Sequence, residues 1–559
     1  MNYKEELKKQ VSFLLKEIPY ENIIVENPKN RNMGDLALPC FSYAKILHKN
    51  PNVIAEEIKE KLPNSYEKIE VVNGYVNVFL NKKEFTEEIL TEIKEQQENY
   101  GNNIVGTGKN IVVEYSSPNI AKPFGVGHLR STVIGEALKN ICKKNGYTVY
   151  SINYLGDYGT QFGKLIYAYK EWGNSEEFQK SPIDELKRVY VKFHQEAENN
   201  PSLEEEGRRW FKRLEENDEE ATNLWKIFRD ESLKEFDKTY QLLGIDSFDS
   251  YDGESYYKDK MDLVLEELEQ KNLLEISDGA TIVRLGENVL PALVKRSDGA
   301  SLYITRDLAA ILDRKKRFHF DEALYVVGNE QTLHFEQMKL VLDKMGYDFS
   351  KNIHHISFGM VLQNGKKMST RHGRSVKLQD VLEEAIALAK QYIEDKNPSL
   401  ENKEEVSKKI GVGAVIFNDL KNYRTNDIEF SLEDMLKFEG ETGPYVAYTY
   451  ARISSLLRMH TLTDFSYNTI DVNEFVWNIV FKLYEFKEVI IRAKENYDPS
   501  ELAKYLLDLC SCFNRFYANE KIVDNDIEKT NFRLTVSYCV ATVLKEGMRL
   551  LGIALPDRM

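Results

Sequence analysis

The chain opens on charged and apolar positions repeating at helical spacing. MNYKEELKKQVSFLLKEI (1–18), NVIAEEIKEKL (52–62) and KKEFTEEILTEIKEQQENYG (82–101) each read as an amphipathic helix. Between the last two, YEKIEVVNGYVNVFL (66–80) is strand-like, so residues 1–108 predict a small α+β unit. GNNIVGTGKN (101–110) reads as its linker. From Ile111 the pattern changes to strand, glycine-rich turn, helix, strand. IVVEY (111–115) is an apolar run. The segment after His128 puts Leu129, Val133, Ile134, Leu138 and Ile141 on one stripe and stops at Gly146. YTVYSINYL (147–155) is the next strand. This is a βαβ unit, which predicts a parallel sheet with ligands at the strand ends. Residues 170–243 are highly charged and helical, with Trp172, Trp210 and Trp225 spaced among the charges, as in an insertion between two halves of the sheet. The sheet resumes at EALYVVGN (322–329) and IHHISFGMVL (353–362). After residue 376 the chain reads as helices to its end.

The 559 residues exceed what one core encloses, so two to four domains are expected. No window holds eighteen uncharged apolar residues, which predicts no membrane span. The amino end lacks a signal peptide's apolar core, and Glu5, Glu6 and Glu17 argue against a transit peptide. Five cysteines are scattered (Cys40, Cys142, Cys510, Cys512, Cys539), and C-x-C alone makes no metal site, so a reducing cytoplasm and no protein-bound metal are expected. The formal net charge of −15 argues against a nucleic-acid partner, although binding follows local potential rather than the sum.

Two stretches carry candidate chemistry. SPNIAKPFGVGHLRST (117–132) places glycines and His128 where a strand ends and a helix starts. Glycines let a ligand approach the backbone, and the free N–H groups of a helix start favour phosphate. The plainer reading is a tight turn with a surface histidine. Further on, GKKMSTRHGRS (365–375) is dense in cations: Lys366, Lys367, Arg371 and Arg374. Such a loop can close over a triphosphate and neutralise charge developing on pyrophosphate, or it can be a solvated basic loop.

Together these stretches resemble the HIGH and KMSKS signatures of class I aminoacyl-tRNA synthetases, and the surrounding wording resembles arginyl-tRNA synthetase. NYLGDYGTQFGKL (153–165), LYITRDLAA (302–310), VVGNEQTLHFEQ (326–337), EGETGPYVAYTYARI (439–453) and the closing LGIALPDRM support it, from GDLALPCFSYAK (34–45) to the last residue. The resemblance implies a multidomain α/β protein. Its parts would be an N-terminal α+β domain (1–108) gripping the tRNA elbow, a Rossmann-like catalytic domain (109–375) with its helical insertion, a connecting helical region (376–440) and an all-α anticodon-binding domain (441–559). It also implies activation of arginine by ATP-Mg²⁺, transfer to tRNA(Arg), and a monomer. By resemblance Gly125, Gly127, His128, Lys367, Met368 and Ser369 serve ATP. Thr370 replaces the last lysine of KMSK, and Lys122 supplies that charge. The family usually has histidine where Gly125 stands.

A site for a planar guanidinium needs fixed carboxylates. Tyr303 and Asp307 lie four apart, on one face if helical. The resemblance makes Asp307 the ion partner, Glu254 the second acid, and Asn119 and Gln331 holders of the substrate's amino and carboxylate end, with Ser117 and His334 beside them. Such a site rejects lysine without an editing domain. For tRNA, the resemblance points to Tyr445, Tyr448 and Arg452 on one helix and to Tyr75, Asn77 and Phe79 alternating on one strand face. Two alternatives stand beside this reading: a class I ligase for another substrate, and a tRNA-binding relative weakened at Gly125.

Overall fold

The computed structural model describes every residue except Met1, Lys29, Asn288, 296–302, 369–375, Asp464, Asn468 and Thr469. Its contacts divide the chain into two compact units. The first gathers Met1–Tyr100, Met459–Tyr484 and Ser511–Thr542. It holds α1 (Tyr3–Leu14), β1 (Leu36–Pro39), α2 (Phe41–Leu47), α3 (Pro51–Lys61), β2 (Lys68–Val72), β3 (Tyr75–Phe79) and α4 (Lys82–Gln96). The strands form an antiparallel sheet in the order β1-β3-β2. Its β2–β3 hairpin turns at Asn73-Gly74, both at positive φ, which suits the twist of a two-residue hairpin. The side chains of Asn50 and Asn81 cap α3 and α4. The core of this unit is completed from far along the chain. Phe85 of α4 lies 5.2 Å from Trp477 and 5.9 Å from Phe481, and Trp477 Nε1 donates to Asp35 Oδ1 at 3.1 Å. Residues 441–559 therefore contribute to both units rather than to one.

The second unit gathers Gly101–Arg458, Glu485–Cys510 and Val543–Met559. It begins with β4 (Asn110–Glu114), α5 (Leu129–Lys144) and β5 (Thr148–Ile152). The insertion follows as α6 (Thr160–Trp172), α7 (Ser175–Lys180), α8 (Pro182–Asn199), α9 (Ser202–Glu215) and α10 (Glu219–Leu243). Then come α11 (Met261–Gln270), β6 (Leu274–Ser277), β7 (Ala280–Val283), β8 (Ala292–Lys295), α12 (Tyr303–Phe318), β9 (Glu322–Tyr325), α13 (Thr332–Lys344) and β10 (Ile353–His355). The main sheet has the order β10-β9-β4-β5 with every pair parallel, as the βαβ pattern predicts. Glu114 is in register with Ile152 and Tyr325, and Tyr325 with His355, so all four strands end along one edge. That edge is where such sheets bind ligands.

Three features depart from the sequence reading. A separate antiparallel sheet, β6-β7-β8, precedes α12. IHHISFGMVL is not one strand: β10 ends at His355, and β11 (Val361–Gln363) joins a small sheet with β12 (Lys366–Lys367) and β13 (Ile428–Glu429). Strand β13 thereby interrupts the helical run expected after residue 376. The insertion's helices begin at Thr160 rather than near 170. The remaining elements are α14 (Leu378–Lys396), α15 (Lys403–Leu420), α16 (Leu432–Met435), α17 (Gly443–Met459), α18 (Glu474–Glu495), α19 (Ser500–Asn519) and α20 (Ile527–Leu550). The last three helices run through both units.

Candidate active site

Beyond β4 the chain turns sharply. Ser116, Ser117 and Ala121 all have positive φ (70°, 47° and 58°), which non-glycine residues adopt only where their surroundings hold them. The holders are identifiable. The amide of Ser116 donates to Ser131 Oγ at 2.9 Å, and Ser131 Oγ donates to the Val326 carbonyl at 2.6 Å. Thr132 Oγ1 reaches Ser116 Oγ at 2.9 Å, and Tyr240 OH lies 2.7 Å from the same oxygen. The amide of Ala121 donates to Ser232 Oγ at 2.8 Å. Ser131 and Thr132 thus fix the strand-exit loop from α5, while Ser232 and Tyr240 fix it from α10. Asn119, exposed at the top of this loop, lies against Gly156. A Cβ at position 156 would stand 2.2 Å from Asn119 Oδ1, so only glycine admits this approach.

His128 closes the loop. Its ring stacks on Phe124 at 5.2 Å, and its Nδ1 is buried. Burial holds its pKa below the ordinary imidazole value, and Lys122 adds to the effect. A neutral ring is therefore ready to serve a phosphate oxygen as a hydrogen-bond donor. Lys122 itself is exposed. A Cβ on Gly127 would meet nothing within 4 Å among the described residues, so none of them requires a glycine there. Gly125 has φ −91° and ψ 165°, ordinary extended backbone.

The second motif is tied to the first. The amide of Val126 donates to the Val376 carbonyl at 3.1 Å, and that of Leu378 to the Phe124 carbonyl at 2.9 Å. Upstream, the amide of Met368 donates to the Val361 carbonyl at 2.9 Å. Both feet of the basic loop are thus hydrogen-bonded. Ser369, Thr370, Arg371 and Arg374, and the side chain of Lys367, lie outside the described residues. Helix α5 is pinned from below. Arg130 Nε donates to Asp419 Oδ2 at 3.1 Å, Nη1 donates to the Asn426 carbonyl at 2.7 Å, and both side chains are at most 1% exposed.

The two acids stand differently. Asp307 on α12 is partly exposed. Its Oδ1 accepts from Tyr154 OH at 3.1 Å, and its Oδ2 lies 2.6 Å from His334 Nε2. Burial opposes the imidazolium of His334, but the hydrogen bond and charge of Asp307 outweigh it and raise the pKa. Arg306, the neighbour that could have paired with Asp307, faces elsewhere because adjacent helical residues diverge. It sits 2.7 Å from Glu254 Oε1, and both side chains are largely buried. Burial pushes the Glu254 carboxyl up to about 7 despite Arg306. The second acid is therefore not a vacant carboxylate but one already paired. Tyr303 is 65% exposed at the start of α12 and, with His334, lines a cavity of about 440 Å³. Gln331 is exposed, and Ser117 partly so. Ser117 and Asn119 follow the end of β4 and Gln331 and His334 follow β9, while Asp307 of α12 meets Tyr154, just past β5, and His334.

For RNA the picture is mixed. Tyr75 and Phe79 are partly exposed, with Phe41 edge-on to Tyr75 at 5.2 Å and Lys68 over Phe79. Asn77, expected beside them, is 2% exposed at the middle of the central strand. This corrects the expectation of three surface contacts, since a covered amide meets no RNA in this structure. On α17, Tyr448 is exposed, Arg452 lies over its ring at 4.8 Å, and Tyr445 is one turn earlier. Tyr450 of the same helix is core, its hydroxyl donating to Asp557.

Sequence reasoning passed over Tyr154, Arg306 as the partner of Glu254, and the pair Ser131–Thr132. Tyr154 and Arg306 lie inside quoted motifs, but nothing in their spacing says which carboxylate each faces.

Known proteins resemble the chain along its whole length. The family model described as class I tRNA synthetases (R), catalytic domain, matches residues 89–432. The DALR anticodon-binding domain matches 446–559, and the arginyl tRNA synthetase N-terminal domain matches 1–80. The arginine–tRNA ligase of Enterococcus faecalis is 51% identical over 100% of both chains, as is arginine–tRNA ligase 1 of Bacillus cereus. Among solved structures, the Thermus thermophilus arginyl-tRNA synthetase superposes with a TM-score of 0.86 at 25% identity, covering 100% of both chains. The Plasmodium falciparum arginyl-tRNA synthetase gives 0.82 at 27%, covering 100% of this chain and 98% of that one.

Proposed function

Since the chain belongs to the class I arginyl-tRNA synthetase family, and so is an arginine–tRNA ligase that uses ATP, we propose how its own residues divide that work. Arginine's carboxylate attacks the α-phosphate of ATP, giving arginyl-adenylate and pyrophosphate. The terminal ribose of tRNA(Arg) then takes the arginyl group and AMP leaves. Little covalent chemistry falls to the protein, so positioning and charge stabilisation dominate.

In this reading ATP lies over Gly127, where the backbone is open, with Gly125 beside it. His128 offers its neutral ring to the phosphates, and Lys122 supplies the charge that Thr370 lacks. Lys367, Met368 and Ser369 cover the pyrophosphate from a loop whose feet are anchored to the strand exit. Mg²⁺ arrives with ATP as part of the substrate. Asn119 and Gln331, exposed on neighbouring strand-end loops, hold the amino and carboxylate end of arginine, with Ser117 adjacent. Asp307 takes the guanidinium, with Tyr303 alongside. Glu254 contributes negative potential while paired with Arg306. Tyr448, Tyr445 and Arg452 face the anticodon, and Tyr75 and Phe79 the tRNA elbow. The enzyme acts as a cytoplasmic monomer, and bound tRNA is needed before arginine is activated. No helix among the described residues is long and apolar enough to cross a membrane.

The observation that carries the arginine assignment is the Asp307 carboxylate, held by Tyr154 from the loop after β5 and by His334 in the first turn of α13, and still open to solvent. The test is charging of total tRNA with ATP-Mg²⁺ and all twenty amino acids, the ester being identified by mass spectrometry. Arginine alone is the expected product. A protein that binds tRNA but charges nothing would replace this reading with a binding or regulatory role.

A further inference from the structure

We propose that Tyr154 is a positioning residue for arginine recognition, its hydroxyl acting with the His334 imidazole to hold Asp307 in the pose that accepts a forked guanidinium. The inference rests on the reading that Asp307 is the guanidinium's partner.

A carboxylate offers about four lone-pair directions, two per oxygen, and a bidentate guanidinium uses one on each. Among the described residues one donor reaches each oxygen: Tyr154 OH on Oδ1 at 3.1 Å and His334 Nε2 on Oδ2 at 2.6 Å. One direction per oxygen is left, which is the pattern a fork needs. With either donor gone, the carboxylate can rotate about its last bond and present one oxygen instead of two.

Tyr154 is itself held firmly. Its ring lies 5.1 Å from the guanidinium carbon of Arg314 and 5.9 Å from the ring of Tyr257. Arg314, 1% exposed, is ion-paired with Glu114 at the end of β4 and donates to Tyr325 OH at 3.2 Å. A chain of contacts therefore runs from the sheet through Arg314 and Tyr154 to the substrate's acid. Burial keeps the Tyr154 phenol well above its ordinary pKa, so it remains a donor throughout the working range. Its lack of charge matters as much as its place. Glu254 is met by a resident guanidinium, whereas Tyr154 orients Asp307 and leaves its charge for the ligand.

The experiment is Tyr154→Phe in the full chain, assayed by tRNA charging with arginine and ATP titrated separately, beside Asp307→Asn. Loss of one hydrogen bond to a charged group predicts a roughly tenfold rise in KM for arginine. The KM for ATP and kcat at saturating arginine should stay within about twofold, and the thermal midpoint should hold. Discrimination of arginine over lysine should also fall, because an ammonium gains nothing from fork geometry. A Tyr154→Phe enzyme with unchanged KM for arginine, while Asp307→Asn has lost it, would overturn the inference alone. So would a Tyr154→Phe enzyme whose ATP and arginine constants move together. An Asp307→Asn enzyme with normal KM for arginine would overturn the reading beneath it.

Discussion

Replacing Asp419 with leucine tests how the helix behind the nucleotide motif is held. The perturbation strands Arg130, whose side chain is 1% exposed, with the Asn426 carbonyl as its one remaining hydrogen-bond acceptor among the described residues. An arginine cannot shed its proton to escape burial. Removing one partner of a buried pair typically costs 3–5 kcal/mol, so about 4 kcal/mol is expected for Asp419→Leu. The reverse change, Arg130→Met, should cost less, about 2–3 kcal/mol. Asp419 can take up a proton, and burial already moves its pKa upward. The double variant removes both charges and should return to within about 1–2 kcal/mol of the parent, since apolar replacement of a buried pair is often neutral. With two compact units, no single unfolding free energy describes the chain. The assay is therefore hydrogen exchange read by mass spectrometry on peptides of α5 and α15, with tRNA charging in parallel. Because α5 starts directly after His128, Asp419→Leu should lower kcat as exchange in α5 rises. A cost below 1 kcal/mol for Asp419→Leu, or single costs that simply add in the double variant, would refute the argument.

Two further outcomes follow from the site. The KM for arginine should rise about tenfold as pH falls from 8 to 6, because Glu254 gains a proton below about 7 and His334, with its raised pKa, becomes cationic beside Asp307. Both changes repel or release a cationic substrate, and a flat profile would contradict them. The stability linked to Glu254 has the sign of a raised carboxyl: it is present in full at acid pH and is lost as pH climbs through about 7. At position 125 the backbone is ordinary, so Gly125→His meets no φ/ψ strain and should leave charging within about tenfold of the parent. A gain of a hundredfold or more in that assay would show that the missing imidazole limits the enzyme.

What could be read in advance follows from the range of the forces involved. The βαβ unit was legible because the stripe from Leu129 to Ile141 and the runs on either side are local patterns. The Asn73-Gly74 turn is just as local, yet 66–80 was read as one strand-like stretch rather than as the two strands β2 and β3. The strand break inside IHHISFGMVL was hidden because Val361 is as apolar as Ile353, and only the partner strands distinguish them. Candidate site residues were legible where a motif fixes both type and spacing, as at His128 and Asp307. The pairing of Asp307 was not: His334, named for the site but not as its partner, comes from α13, and Tyr154 from just past β5, and pairing at that separation leaves no periodic trace. Arg306, adjacent to Asp307 in sequence, pairs instead with Glu254, since adjacency along a helix is divergence in space.

The assembly of the first unit from three separated stretches bears on how the protein is made. Phe85, Leu90 and Tyr100 emerge from the ribosome early, yet Trp477, Phe481, Leu483 and Cys539, which meet them within the same unit, are translated near the end. At synthesis rates of about 5–20 residues per second, that is a wait of roughly 20–90 s. Until then the amino-terminal sheet and helix α4 lack these partners, so a gene cut at residue 108 would free a body without Trp477, Phe481, Leu483 and Cys539.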